Sequence, residues 1–575
     1  MNPNPWCTIL MLPHPISSLY KSAATALPFR HSPPTLLSPY TYLCFMDDRV
    51  HEMVDSLVRS CAPFFLASVA MLLGFLVYFY LPYWRVRRVP GPPTTFPVGH
   101  IPFLAKHGPD ILRVLAKNYG PIFRFHLGRQ PLVIVADAEL CRKVGIKKFK
   151  DIRNRSIPSP ATGSPLLLKG LFLLRDSRWT STRNIITSLY QPAHLASLIP
   201  TMHHYATSFC HTISKIQRNR EDVPISELSL RLAIDIIGKT AFGIEFGLLD
   251  DDSSDCCNDD DDCDGSCFLR QHTYSISSLK MDLSGSFSTT LGMIAPVLQK
   301  PCREIFKRIP SAADYKLHQI NQRLCQRIDA IIAKRSSEMT RESKDFLAAL
   351  LNSRQTRLAE NLLTDSYVRA LVYEHLIAGT KTTAFTLSMT VYLVSQHPEV
   401  EKKLVEEIDR FGPRDLIPTF DDLHSKFSYL DQVIKESMRI YTVSPLVARE
   451  TSQQVEIGGY VLPKGTWVWL ALGVVAKDPK HFPEPDVFRP ERFDPAGDEE
   501  KRRHPYAHIP FGIGPRQCIA QKFAIQEVKL ALIQLYRHYV FRRSPRMDLP
   551  PEFQYGLVLS FKRDIMLRAI QRADD

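Results

Sequence analysis

The chain has 575 residues, 45% hydrophobic and 23% charged, proportions that exclude wholesale disorder and suit a chain with a large buried core. A formal net charge of +13 fits an anionic membrane surface, an acidic protein partner or nucleic acid, and by itself does not choose among them. Twelve cysteines, of which only Cys256, Cys257, Cys263 and Cys267 lie close together, exclude a secreted disulfide framework and point to a reducing compartment.

Residues 1–46 contain no Asp or Glu and are rich in Ser, Pro, Leu and Thr. Three readings stay open for this extension: a plastid-type transit segment, a disordered tail, or sequence ahead of a true start at Met46. A short segment, 47–61, follows and is expected to be lumenal. From Ala62 to Trp84 no residue is charged, a run long enough, at about 1.5 Å per residue, to cross a hydrocarbon core of roughly 30 Å. Arg85, Arg87 and Arg88 come directly after it and mark the cytosolic side, which leaves everything downstream in the cytosol. The alternatives are a buried core helix and a cleaved signal peptide, the second disfavoured by length and by the lack of a small-residue cleavage site.

Residues 85–97 are basic and proline-rich, and Val89-Pro90-Gly91-Pro92-Pro93 forbids helix continuation, so a stiff hinge is expected there. Alternation predicts extended stretches over Ile122–Val135, broken near Gly128, and Val455–Leu470, broken at Gly458-Gly459 and Pro463 to Gly465. Apolar periodicity predicts helices over Leu228–Phe242, Leu362–Val394, Val400–Phe411, Tyr429–Ile440 and Ile519–Tyr539. The class is mainly α with a smaller β part, in one large domain over 98–575. Within it, 250–267 reads as a solvated acidic insertion, with nine Asp between 250 and 264 in a spacing that matches neither a zinc site nor an EF-hand.

The sharpest signal is Pro510-Phe511-Gly512-Ile513-Gly514-Pro515-Arg516-Gln517-Cys518-Ile519-Ala520. Two glycines permit a tight loop, and Cys518 falls where an amphipathic helix begins; free N–H groups and the helix dipole there are expected to lower the thiol pKa. Alone, such a cysteine is an ordinary buried thiol. The pattern Phe-x-x-Gly-x-Arg-x-Cys, however, resembles the haem-ligand loop of the cytochrome P-450 superfamily, with Ala520 where the family usually has glycine. That resemblance implies the cytochrome P-450 fold and haem b, with Cys518 as the axial ligand of the iron. Further motifs follow in the family's order. Glu436-Ser437-Met438-Arg439 and Arg492 of Pro490-Glu491-Arg492-Phe493 match a buried charged cluster supporting the cysteine loop, which makes Glu436, Arg439 and Arg492 structural candidates. Trp179 and Arg183, with Arg449 and Arg516, match the residues that reach the two haem propionates, for which the planar arginine fork is suited.

The distal motif, Ala378-Gly379-Thr380-Lys381-Thr382-Thr383, lies inside the long apolar helix. Glycine and hydroxyl side chains at mid-helix can open the hydrogen-bond ladder. The resemblance implies a kink there that seats dioxygen beside Ala378 and Gly379, with Thr382 assisting proton delivery; the competing reading is a threonine bonded back to its own helix. Lys381 stands where many members carry an acid, and a cation does not accept a relayed proton in the same way.

Longer phrases narrow the match: Asn154-Arg155-Ser156-Ile157-Pro158-Ser159-Pro160, Leu189-Tyr190-Gln191-Pro192 through Met202-His203, and His504-Pro505-Tyr506-Ala507. Together they resemble the plant carlactone oxidases of strigolactone biosynthesis. The resemblance implies NADPH- and O2-dependent oxidation of carlactone, an apolar apocarotenoid, at one methyl carbon to carlactonoic acid, with electrons from an NADPH-dependent flavoprotein reductase. Arg178, Arg502 and Arg503 are candidates for docking that reductase. The Ser156–Lys169 loop, Ala378, the Val443–Val447 turn and Gly556–Leu559 are candidates for the substrate walls. No nucleic acid is implied. The expected address is the endoplasmic reticulum membrane, single-pass with a cytosolic catalytic domain, plastid targeting by residues 1–46 being the alternative. Two other functions remain: a haem-thiolate isomerase or dehydratase, and a non-catalytic membrane haem-binding protein.

Overall fold

The computed structural model describes residues 39–162, 164–250, 264–280, 284–338, 345–354, 362–547 and 550–573. The chain divides into two compact units, residues 1–75 and 76–575. The first unit is described from Pro39, where helix α1 (Pro39–Arg85) begins. No proline or glycine lies between Tyr40 and Ala62 to stop a helix, so α1 starts well ahead of the apolar run. Within its His51–Arg85 stretch an 18-residue window reaches a mean hydropathy of 2.2, and the helix is long and apolar enough to cross a membrane. Phe64 and Phe65 are 76% and 69% exposed, side chains that water does not favour. The transit-segment reading falls largely on 1–38, and most of the acidic insertion on 251–263, both outside the described residues.

In the second unit the segment expected as a hinge is tied down: Val86 and Val89 are buried, and Arg124 N–H donates to Pro90 O at 2.7 Å. Arg124 belongs to strand β1 (Ile122–Leu127), which pairs antiparallel with β2 (Gln130–Val135). Strand β3 (Val447–Glu450) lies further on, and the predicted Val455–Leu470 stretch separates into β4 (Val455–Ile457), β5 (Tyr460–Leu462) and β6 (Trp467–Leu470). Of these three strands only β4 and β5 form a hairpin. Strand β6 leaves them to pair parallel with β2 and antiparallel with β3, giving the sheet order β1-β2-β6-β3. An isolated bridge, Asn154 to Glu450, then carries the loop around Arg155 to the exposed edge of β3.

The helices that position the site are α2 (Asp176–Thr187), α3 (Ile225–Phe242), α4 (Asp264–Ser277), α5 (Asp365–Val394), α6 (Ser428–Ile440) and α7 (Gln521–His538). Helix α5 runs through the core, with Leu371, Val372, Tyr373, Leu376 and Leu387 buried. It lies close against α3 at Gly379, where a Cβ would come within 2.7 Å of Ile237 Cδ1. A side chain at this position would thus require Ile237 to shift, whether or not the helix kinks.

Candidate active site

The Cys518 loop is built on its glycines. Gly512 and Gly514 have φ of +82° and +71°, and a Cβ at Gly514 would lie 2.0 Å from Gly145 O, so the turn admits no side chain there. Cys518 N–H closes the loop onto Phe511 O at 2.8 Å. Helix α7 starts at Gln521 with Ala520 at its N-cap, which places Cys518 ahead of the first turn rather than in it. The side chain is exposed at its own surface, yet it sits deep within low-dielectric protein. Burial raises its pKa, against the Ala520 N–H and the charges of Arg183 and Arg155, which pull it down. This corrects the expectation of a thiol acidified by the helix start. The loop favours a neutral thiol on its own, and a metal cation at sulfur reverses that preference.

Four arginines face this loop. Arg516 lies two residues before the cysteine, its guanidinium 4.2 Å above the Trp179 ring and its Nη2 on Leu174 O at 2.7 Å. Arg183, one turn along α2 from Trp179, donates to Gln517 O at 3.0 Å. Arg449 is fully buried on β3, its guanidinium bonded among the described residues only to its neighbour Ala448 O at 2.8 Å. Arg155, which the sequence reading placed only within a family phrase, is brought in by the Asn154 to Glu450 bridge. It stacks 4.1 Å over Phe172. Burial lowers all four pKa values, and repulsion from neighbouring arginines adds to it at three: Arg155 goes to about 10 and Arg516 to about 9, with Arg449 pulled well down. Buried donors remain without a protein partner at Arg155 Nε, Arg449 Nε and Nη2, and Arg516 Nε. Such a cluster is stable only against anions.

Among the described residues no three His, Cys, Asp or Glu side chains come together to hold a metal ion. An iron on Cys518 must therefore carry its other ligands with it, and the arginines must find carboxylates. Haem meets both demands, and the residues present fit it. Arg449→Met is expected to speed haem transfer to an apo-globin acceptor roughly tenfold, the loss of one charge-assisted bond. The urea midpoint of the haem-free protein should not fall, because the substitution removes an uncompensated buried cation.

On the other wall, α5 runs unbroken, so the open ladder expected at Gly379 to Thr382 is not seen. Thr382 Oγ1 donates to Ala378 O at 2.6 Å, bonded back to its own helix. Glu374, one turn before Ala378, was not singled out by sequence. Its carboxylate accepts the Phe172 and Leu171 N–H groups and is raised to about 7, burial outweighing those bonds and Arg155 and Arg516. It thereby fixes the loop whose Phe172 O also receives Arg516 Nη1.

A family model described as Cytochrome P450 matches residues 89–567. The chain belongs to the cytochrome P-450 family. It is similar to thromboxane-A synthase of Sus scrofa, 25% identical over 510 residues that cover 83% of this chain and 90% of the relative. Cytochrome P450 3A6 of Oryctolagus cuniculus is 27% identical over 518 residues, 88% and 98% respectively. The chain is thus a haem-thiolate oxidoreductase of the monooxygenase family, and the family uses haem iron and O2.

The remaining predicted residues of this cytochrome P-450 lie together under α6. Glu436 accepts Arg439 Nε and Nη2 at 2.7 and 2.8 Å and Arg492 Nε at 3.1 Å, all three side chains fully buried. The arginines direct their other donors mostly to main-chain oxygens, Arg439 to Ala476 and Pro485, Arg492 to Pro483, while Arg492 Nη1 also pairs with Glu499 Oε1 at 3.1 Å. Of the three docking candidates, Arg503 is withdrawn. Its side chain is 5% exposed, stacked on Phe482 and Phe493, bonded to Arg492 O and paired with Glu499 and Glu500. Arg502 is exposed beside Asp498, and Arg178 lies 4.4 Å over the Tyr367 ring.

Proposed function

We propose that this cytochrome P-450 is an NADPH- and O2-dependent monooxygenase that oxidises carlactone stepwise at one methyl carbon to carlactonoic acid. We further propose that α1 holds it in the endoplasmic reticulum membrane with the catalytic unit in the cytosol. The observation that carries the haem-dependent part is the meeting of Cys518 with four arginines, three of which (Arg155, Arg449 and Arg516) keep buried donors with no protein partner among the described residues. The substrate follows from the phrases shared with carlactone oxidases.

When bound, haem supplies the iron that activates dioxygen, with thiolate donation favouring O–O cleavage. Cys518 Sγ would ligate it, and Arg155, Arg183, Arg449 and Arg516, with Trp179, would hold its propionates. Ala378 would leave room by being small, whereas the space beside Gly379 is taken by Ile237 of α3. Thr382 holds a proton on Oγ1; threonine in a helix has two accessible rotamers, so this hydroxyl can turn from Ala378 O towards the open side. Two of the expected substrate walls meet, since Leu559 N–H donates to Val443 O at 2.8 Å. Ser156 belongs to the frame instead: it is buried and takes the Trp469 Nε1–H at 2.8 Å.

Electron supply would come from the other side of the cysteine loop. A cleft of about 810 Å³ is lined by Phe511 to Pro515, Gln517, Lys435 and the exposed Lys522, and by none of the four arginines. An acidic flavoprotein reductase suits that charge. Lys522→Glu is expected to slow flavoprotein-dependent reduction roughly threefold to tenfold at low salt, with the difference vanishing as salt is raised.

The deciding experiment incubates microsomes holding this protein and a reductase with carlactone and follows the products. Turnover is expected only with NADPH. Full turnover without it favours the isomerase or dehydratase reading, and no turnover by a protein with an intact haem spectrum favours a haem-binding role.

A further inference from the structure

Helix α5 divides by direction around its midpoint. At about 100° per residue, Glu374, His375, Ile377, Gly379, Lys381 and Thr382 all lie within about 100° of Ala378, and each is half-buried, with Ala378 itself exposed. Leu376, Thr380 and Thr383 point the other way and are buried. A core helix packed behind and accessible in front leaves a chamber-like space at that face, and Lys381 stands on it, about 60° round from Ala378.

Its ammonium has one partner among the described residues, Ser277 Oγ at 3.2 Å, at the end of α4. Two of its three N–H groups have none there. No carboxylate pairs with it among the described residues, and its electrostatics are set by burial alone. Glu374, two turns away on the same face, is occupied by Phe172 and Leu171. From α4, His272 lies on Thr380 and is held neutral, its pKa pulled to about 3 by burial and by Lys381. Burial also lowers Lys381, to about 8, which leaves it largely protonated at neutral pH. A cation so placed is an uncompensated charge until an anion reaches it.

We propose that Lys381 binds the carboxylate of an apolar organic acid in the chamber beside Ala378, so that such acids are held in preference to their neutral analogues. Carlactonoic acid is one such ligand, an identity that rests on the carlactone reading above; the recognition of acids does not.

The test is haem spin-state titration and equilibrium dialysis on the full-length holoprotein, with two probe sets. One is lauric, palmitic and oleic acids against their methyl esters; the other is carlactonoic acid against its methyl ester. Wild type is expected to bind the acids at least about tenfold more tightly than the esters, and Lys381→Met to lose roughly 10- to 100-fold for acids with esters changed less than about threefold. Lys381→Arg should keep most of the preference. Equal binding of acid and ester by wild type overturns the proposal, as does failure of every acid to bind. An undiminished preference in Lys381→Met also overturns it, provided the carbon monoxide spectrum shows intact haem. If Lys381→Met does not fold, the wild-type ratio and Lys381→Arg decide. Loss of the fatty-acid preference in Lys381→Met without any carlactone turnover by wild type would support acid recognition and overturn the carlactone reading alone.

Discussion

Cys518→Ala is expected to remove the ferrous carbon monoxide band typical of thiolate ligation and to lower substrate oxidation at least about a thousandfold, about 4 kcal/mol of barrier. Activity and haem retention should part company in this variant. In the proposed site the sulfur would supply electron density to the iron, whereas much of the hold on the macrocycle would fall to Arg155, Arg183, Arg449 and Arg516. Haem content, measured after chemical reduction of the purified variant, should therefore fall far less than turnover. Cys518→His sharpens the point, since imidazole ligates iron without the donor strength of a thiolate; haem is retained and the thiolate band still absent. A variant at 518 that keeps both the band and turnover would remove Cys518 from the site.

What the sequence disclosed and what it withheld follow from the range of the forces involved. Helix faces are local: a period of 3.6 residues predicted Leu362–Val394, and α5 is found at Asp365–Val394. The Glu436-to-Arg439 pair is also local, one turn on one face. Strand β6 is not, because its partner β2 is remote in sequence and parallel pairing has no turn to announce it. Arg155 stayed hidden for the same reason, since its neighbours are fixed by the Asn154 bridge to Glu450 and nothing beside it in sequence reveals them. The Cys518 pKa was misjudged from a local cue, the helix start, when desolvation by distant segments was the larger effect. Arg503 looked like a surface cation because sequence does not show that Phe482 and Phe493 close over it.

Glu436→Ala is expected to be the most damaging substitution away from the cysteine, at about 3–5 kcal/mol, since removing the acid strands the buried Arg439 guanidinium and leaves Arg492 only its pair with Glu499 at 3.1 Å. Those guanidiniums are not free to turn to water. Arg439 and Arg492 are pinned by the carbonyls of Ala476, Pro485 and Pro483, and the Arg489 N–H that Glu436 also accepts would lose its partner. Helix α6 carries this cluster on one face and presents Ile434, Lys435 and Met438 to the cleft beside the cysteine loop on another. Its displacement should be read first at the haem, as loss of the thiolate band on mild heating. Glu436→Gln, which keeps the shape and two acceptor lone pairs but not the charge, should fall between wild type and alanine. If Glu436→Met/Arg439→Met/Arg492→Leu together restore the melting temperature but not the thiolate band, the cluster's contribution is to the geometry of the loop more than to net stability, because an apolar core of equal volume replaces a buried ion pair at little cost while losing its directed hydrogen bonds.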